Sequence, residues 1–193
     1  MLKDLFVSAV RVKILKIFLF DKDKSYHVRS LVRAVGSEIN AVRRELQKLT
    51  SIGFLRRRPS GNRVYYSLNS SSIYYPELLS LFVKEDGIGA DIIKAEKELG
   101  NAKYAVLARS FVRGRASTVL DVDLFVVGGV NIEVLKNIVS NEEKKQNREL
   151  NYTVMGEDEF NFRKRRNDPF IVKILSQSRV MLIGDEEEFS SIS

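Results

Sequence analysis

The sequence predicts an α+β protein of two domains: a domain of helices and one hairpin over residues 1–85, and a small α/β domain with a mixed sheet over residues 86–193. Three observations predict this fold. Apolar residues in the first half recur at helical spacing before a single hairpin pattern. In the second half, β-prone runs alternate with helical patterns. Between them, a serine-rich bend, an apolar helix and the helix-breaking sequence DGIG place the boundary near residues 84–90.

Composition restricts the chemistry of the chain. Its 193 residues include no cysteine and one histidine, His27, which excludes disulfides, thiolate zinc sites, cysteine nucleophiles and histidine-rich metal sites. Any metal must therefore be held by oxygen ligands. No apolar stretch is long enough to span a bilayer, and the charged N-terminus lacks a signal-peptide core. We therefore expect a cytoplasmic protein without a membrane partner.

Charge is distributed unevenly between the two halves. Residues 1–85 carry 16 lysines and arginines against 7 acidic residues, whereas residues 86–193 carry 16 against 18. The basic surplus therefore belongs to the first half alone. This asymmetry indicates a nucleic-acid-binding module joined to a domain with a different task.

Three helices are predicted in the first half. The first ends near Asp21, and the second, YHVRSLVRAVG, ends at Gly36. His27, at the start of the second helix, is expected to pack or cap locally. Ser37 is placed to cap the third helix, which ends at Gly53. The apolar stripe of the third helix consists of Ile39, Val42, Leu46, Leu49 and Ile52.

The opposite face of the third helix is polar and basic. Such side chains reach base edges and phosphates if the helix enters a major groove, and bases would be read mainly near its N-terminus. The alternative is an ordinary surface helix whose polar side chains are solvated. The residues of this face are Asn40, Arg43, Arg44, Gln47 and Lys48.

A hairpin follows, with two β-prone runs around the turn-forming residues 59–62. Four arginines cluster on it and repel one another unless anions balance them, which favours phosphate contact over simple solvation. They are Arg56, Arg57, Arg58 and Arg63.

This order of helices and basic hairpin, over residues 1 to about 70, resembles the winged-helix domains of ArsR-like and related prokaryotic transcription regulators. The resemblance implies that the third helix is the recognition helix, that the hairpin is the wing and that the partner is duplex DNA. It also implies a homodimer formed through a flanking helix. The apolar residues Ile73, Tyr74, Tyr75, Leu78, Leu79 and Phe82 would supply that interface or, alternatively, dock the two domains together.

In the second half, strands and helices alternate. The strands are predicted over residues 103–108, 119–129, 149–155 and 179–184, and the helices over 131–146 and 169–178. The basic run RKRR at 163–166 is expected to be a solvated helix-end loop, with phosphate or nucleic-acid contact as the alternative. The acidic tail, GDEEEFSSIS, is expected to fray.

Two aspartates, Asp121 and Asp123, alternate within the second predicted strand and should share one face, roughly 7 Å apart at Cα. Two adjacent carboxylates among apolar residues are costly unless a cation or water reaches them. A divalent ion, Mg²⁺ or Mn²⁺, would satisfy both with hard oxygen ligands. The alternative is a pair of solvated acids at a strand end.

The sequence SFVRG precedes this pair by a loop, and the combination resembles the nucleotidyltransferase domain of the DNA polymerase beta superfamily. The resemblance covers residues 90 to about 185. Its motif is Gly-Ser-x-x-Arg-Gly followed by Asp-x-Asp. It implies a nucleotide contacted by Ser110, Arg113 and Gly114, with metal ligands at Asp121 and Asp123.

Two departures from this family pattern put catalysis in doubt. Arg109 replaces the glycine that lets backbone amides approach phosphates. Asn151 occupies the position of the third carboxylate, and an amide cannot act as a base. Glu149 shares the facing of Asn151 and would need a one-residue shift to substitute for it.

We therefore expect a DNA-binding transcription regulator with a catalytically impaired nucleotidyltransferase-like domain, which could bind a nucleotide or a protein. The competing hypothesis is an active metal-dependent nucleotidyltransferase that modifies a protein or RNA partner, as in an antitoxin-like system. A third hypothesis makes both halves protein-interaction modules.

Overall fold

Helices and two separate sheets make the chain an α+β protein in the computed structural model, which describes residues 2–115, 118 and 121–191. The chain divides into two compact units, Met1–Phe82 and Val83–Ser193. Within the described residues, no helix combines the length and apolar character needed to cross a membrane.

The first unit contains helices and a three-stranded antiparallel sheet of order β1-β3-β2. The helices are α1 (Leu2–Leu5), α2 (Ala9–Phe20), α3 (Val28–Val35), α4 (Ile39–Ser51) and α5 (Tyr75–Val83), the last of which runs to the boundary with the second unit. The strands are β1 (Ser25–His27), β2 (Leu55–Ser60) and β3 (Arg63–Leu68). The three predicted helices and the hairpin are thus confirmed.

Local capping explains both boundaries of α3. His27 caps α3, since its Nδ1 accepts a hydrogen bond from the Ser30 amide at 3.0 Å, as its position in the sequence predicted. Gly36 ends α3 in the left-handed conformation. The prediction that Ser37 caps α4 was wrong: the helix begins one residue later, after Glu38, which makes no side-chain capping bond.

The hairpin turns at Gly61, whose positive φ of 55° fits a tight turn. Because β2 is an edge strand, Pro59 removes no ladder hydrogen bond that the sheet needs. Leu55 and Leu68 face each other across the ladder and are both buried. The hairpin is therefore anchored at its base.

The second unit contains one mixed four-stranded sheet of order β6-β5-β4-β7, in which only β5 and β6 are parallel. The predicted mixed sheet is confirmed. Its strands are β4 (Gly100–Ala108), β5 (Leu124–Val130), β6 (Tyr152–Met155) and β7 (Arg179–Ile183). Its helices are α6 (Gly87–Lys94), α7 (Glu96–Leu99), α8 (Arg109–Val112), α9 (Ile132–Gln146), α10 (Glu157–Arg165), α11 (Pro169–Ser176) and α12 (Glu186–Ser190).

The second strand differs from its prediction. Val119 and Leu120, where the strand was expected to begin, lie outside the described residues, and β5 starts only at Leu124. Asp121 and Asp123 therefore precede the strand, and the expectation that they alternate within it was wrong. The Asp121 carboxylate accepts the Thr118 amide hydrogen, a local turn that competes with strand pairing.

The C-terminal segments also differ from their predictions. Over residues 184–191 the acidic tail does not fray, because α12 places Phe189 fully buried against Phe160, with stacked rings 5.3 Å apart. Ile192 and Ser193 lie outside the described residues. The basic run ends α10 and is not a loop. Its Lys164 is buried and donates to the Glu188 carbonyl at 3.1 Å, whereas its three arginines are exposed or half-exposed, as a solvated run predicts. A hydrophobic contact thus orders a segment whose composition alone indicated disorder.

Candidate nucleic-acid interface and carboxylate site

A basic groove lies in the first unit between α3, α4 and the β2–β3 hairpin. Its volume is about 1330 Å³. The floor is partly apolar, with Val28, Val32, Ile39, Val64 and Tyr66. The charged and polar lining includes Arg29, Arg33, Arg43, Gln47, Arg57 and Arg63.

The arginines of the groove carry uncompensated charge. Their five guanidinium groups come from three different elements, and none forms an ion pair with a carboxylate in the part of the chain that the structure describes. Converging positive charges repel one another in a concave surface. The groove therefore favours a polyanionic ligand.

The side of α4 that faces away from the groove carries an acidic residue with an ion-pair partner. Glu45 is buried there, and its Oε2 accepts from Arg11 Nε at 2.7 Å. Burial alone raises the pKa of Glu45, but the hydrogen bonds from Arg11 and Ser8 and the charges of Arg11 and Lys48 outweigh it, so the pKa falls below its ordinary value. The helix thus hides its acidic residue and presents basic ones outward.

The structure separates the predicted DNA-binding residues into two groups. Arg43, Gln47, Arg57 and Arg63 line the groove. For Arg57 this follows from strand alternation, since it points to the same side as its cross-strand partner Tyr66, which also lines the groove. The remaining candidates are exposed but do not line it: Asn40, Arg44, Lys48, Arg56 and Arg58.

Sequence reasoning missed two arginines of the groove, Arg29 and Arg33 on α3. Their spacing of four residues places them on one helix face, which is a signal that the sequence contains. They were missed because the sequence does not show that this face of α3 borders the hairpin.

In the second unit, the Asp121 carboxylate is held by neighbouring residues. Its Oδ2 accepts from the amide and the hydroxyl of Thr118, both at 2.9 Å, and its Oδ1 lies 3.3 Å from Lys173 Nζ. The backbone hydrogen bond from Thr118, with smaller effects of the Thr118 hydroxyl and Lys173, lowers the pKa of Asp121. Asp121 is therefore a stabilised anion.

Asp123 lies in a different environment, with only 1% of its surface exposed. Its Oδ2 accepts a hydrogen bond from the backbone amide of Asn151 at 3.0 Å. The backbone amide of Asp123 donates in turn to the backbone carbonyl of Asn151 at 2.8 Å. Asn151, and not Glu149, is thus the residue beside Asp123. The Asn151 side chain is engaged elsewhere, because its Nδ2 donates to the Thr118 carbonyl at 2.9 Å.

These residues are a poor fit for a divalent ion. The position beside Asp123 holds an amide, and a lysine ammonium contacts Asp121. Among the described residues, no three side chains of histidine, aspartate or glutamate come together as metal ligands would. The site has the geometry of an internal hydrogen-bond network and lacks a full set of hard donors.

A cavity of about 510 Å³ adjoins Asp121. It is lined by Asp121, Val122, Leu150, Asn151, Tyr152, Thr153 and Phe170. The predicted nucleotide contacts Ser110, Arg113 and Gly114 do not line it. The structure therefore brings Asp121 and Asn151 to one cavity without the preceding loop.

The loop that carries Ser110, Arg113 and Gly114 is held by Arg148, a residue that the sequence did not single out. The Arg148 guanidinium stacks on the Phe111 ring at 3.9 Å and donates to the carbonyls of Phe111 and Arg115 at 2.9 and 3.0 Å. An arginine in a charged segment gives no sequence signal of such a role.

Arg109, the departure from the glycine of the family pattern, is attached to the residue before β7. Its amide donates to the Ser178 carbonyl at 2.9 Å, and its Nη1 lies 3.4 Å from the Ser178 hydroxyl. The backbone amide of Arg109 is thus hydrogen-bonded to the segment that leads into the edge strand β7.

No protein-family model matches the chain, and a search of curated proteins finds no significant relative. The functional assignment therefore depends on the sites themselves.

Proposed function

We propose that this protein is a duplex-DNA-binding transcription regulator whose first unit is a winged helix. The observation that carries the proposal is the groove in which five arginines from α3, α4 and the hairpin converge without carboxylate partners among the described residues. A polyanion with regularly spaced charges, such as the DNA backbone, matches this arrangement.

In this proposal α4 is the recognition helix. Its exposed face carries Asn40 and Arg43 near the N-terminus, where a helix in the major groove reads bases. Arg44 and Lys48 extend the same exposed surface toward phosphates. The arginines of α3 and of the hairpin position the duplex through its backbone and carry no sequence information.

The second unit is proposed to be a nucleotidyltransferase-like domain with impaired catalysis, which serves as a ligand or protein-binding module. Asn151 at the position of the family's third carboxylate supports the impairment, since its amide side chain supplies neither a carboxylate nor a base. Lys173 beside Asp121 supports it further. The proposed homodimer would join two such chains on a twofold-symmetric DNA site.

The groove can be tested with two substitutions at neighbouring positions of one strand. We expect Arg57→Ala to weaken binding to a pool of duplex oligonucleotides and to reduce the slope of log K against log salt by about one, as loss of one phosphate contact requires. Arg58→Ala removes the same charge from the next residue, outside the groove, and should change both quantities less. Fluorescence anisotropy across a salt series measures them.

The combination Arg43→Ala, Arg57→Ala should abolish most specific binding, since it removes charge from both the helix and the hairpin. Lys94→Ala, Lys136→Ala is a control of equal charge loss on exposed residues of the second unit. If the groove variant and this control bind DNA as tightly as the unaltered protein, the chain does not bind DNA through the groove.

A further inference from the structure

The negative charge of Asp121 is compensated within the chain by a positively charged side chain. Lys173 Nζ lies 3.3 Å from Asp121 Oδ1, although the two residues are 52 positions apart in sequence. In a carboxylate pair that binds a metal ion, the ion itself usually supplies this positive charge. Here an ammonium group of the protein is already present.

The backbone position of Lys173 is set by α11. Asp168 caps this helix, accepting from the amides of Phe170 and Ile171 at 3.0 and 3.4 Å, and Pro169 occupies its first turn. Ile171 and Ile174 are buried. With one face of the helix fixed in the core, the stem of Lys173 starts at a defined place beside Asp121.

Both carboxylates also accept hydrogen bonds from other groups of the protein. Thr118 donates twice to Asp121 Oδ2, and the Asn151 amide donates to Asp123 Oδ2. Asn151 Nδ2 donates a hydrogen bond to the Thr118 carbonyl. This bond links Thr118, which precedes Asp121, to the residue that precedes β6. A divalent ion could bind only after Lys173 had moved away and this network had been rearranged.

We infer that Lys173 takes the place of a metal cation beside Asp121, so that Asp121, Asp123, Asn151 and Thr118 form a metal-independent cluster in which a lysine offsets one of the two carboxylate charges. An ammonium beside a ligand oxygen repels a doubly charged ion, and the amide of Asn151 supplies no compensating negative charge. The cluster joins α11, β6 and the loop before β5, and its role is to hold the wall of the adjoining cavity. This inference does not depend on DNA binding.

The test is Mn²⁺ binding by the full chain, followed as loss of the free-ion electron paramagnetic resonance signal. We expect no Asp121-dependent binding by the unaltered protein or by Lys173→Arg, which keeps the charge. The combination Lys173→Met, Asn151→Asp removes the ammonium and restores a carboxylate. It should bind Mn²⁺ at least about tenfold more tightly, because the local charge becomes more negative by two units. Adding Asp121→Asn should abolish the gain.

Two results would overturn the inference. One is saturable Mn²⁺ binding by the unaltered protein that Asp121→Asn removes. The other is a folded Lys173→Met, Asn151→Asp protein that gains no affinity. Circular dichroism establishes folding. Because Lys173 is half-exposed, the single variant Lys173→Met should fold and provides a second measurement. We expect its affinity for Mn²⁺ to increase. An unchanged affinity would contradict the inference.

Discussion

Single residues in this protein act mainly through the partners that the fold gives them. Glu45 illustrates this, because a buried carboxylate on a helix is unfavourable until Arg11 meets it at 2.7 Å. The pair joins α2 to the inner side of α4. It thereby fixes which side of α4 faces the groove.

The ion pair makes a prediction about stability and pH. Glu45→Gln should lower the free energy of unfolding by about 1–3 kcal/mol at neutral pH, because a charged hydrogen bond in a half-buried site is lost. The pKa of Glu45 in the fold lies below its ordinary value of 4.5. The ionised form therefore stabilises the fold above that value, and its contribution disappears as the pH falls through the lowered pKa.

Urea denaturation of both proteins at neutral pH and at decreasing acidic pH measures this difference. We expect the gap between Glu45→Gln and the unaltered protein to shrink as Glu45 becomes protonated. A gap that stays constant over that range would show that the substitution acts through packing and not through the charge.

At the scale of elements, residues 109–115 after β4 are held by a distant side chain as well as by local hydrogen bonds. Helix α8 is a single turn, and α8 together with the loop after it receives two hydrogen bonds and a ring contact from Arg148. Short helices are marginal without tertiary contacts. Arg148 therefore contributes to the order of the region of Ser110 to Arg115.

Arg148→Lys should loosen this segment while keeping its charge, because an ammonium cannot donate to two carbonyls with the planar geometry of guanidinium and stacks less well on Phe111. We expect faster amide hydrogen exchange in residues 110–115, measured by mass spectrometry. Arg165→Lys, on an exposed residue of α10, is the matched control and should leave that exchange unchanged. Equal exchange in all three proteins would contradict the role assigned to Arg148.

For the whole molecule, the proposed dimer requires an apolar surface that one chain leaves exposed. Ile73 is 77% exposed and Tyr74 53% exposed, whereas Tyr75, Leu79 and Phe82 of the predicted interface are buried. The candidate interface is thus smaller than the sequence predicted. It consists of the residues that lead into α5.

Ile73→Glu, Tyr74→Glu should weaken self-association, since it places like charges against each other across a twofold axis. We expect the dimer dissociation constant to rise at least about tenfold, which corresponds to 1.4 kcal/mol. Sedimentation velocity measures it over a concentration series. Ile132→Glu, on an exposed apolar residue of the second unit, serves as the control. A chain that is monomeric throughout, or a variant that still dimerises, contradicts this interface.

The sequence by itself determined the features that depend on local periodicity and on charge. Apolar spacing defined α4 and α9, and the turn signal around Gly61 defined the hairpin. The count of basic residues assigned the positive surplus to the first half. These features can be predicted because they involve residues that are close in sequence. Residues three or four apart on a helix are neighbours in every fold, and so are residues that face each other across a two-residue turn.

Only the tertiary structure decided which distant residues meet. Arg29 and Arg33 join the groove because α3 borders the hairpin, and Lys173 reaches Asp121 because α11 lies beside the loop before β5. Phe189 orders the acidic tail because the core has room for its ring beside Phe160. The physical reason is the same in each case: the partners are separated by tens of residues, so neither periodicity nor composition near one of them records the other.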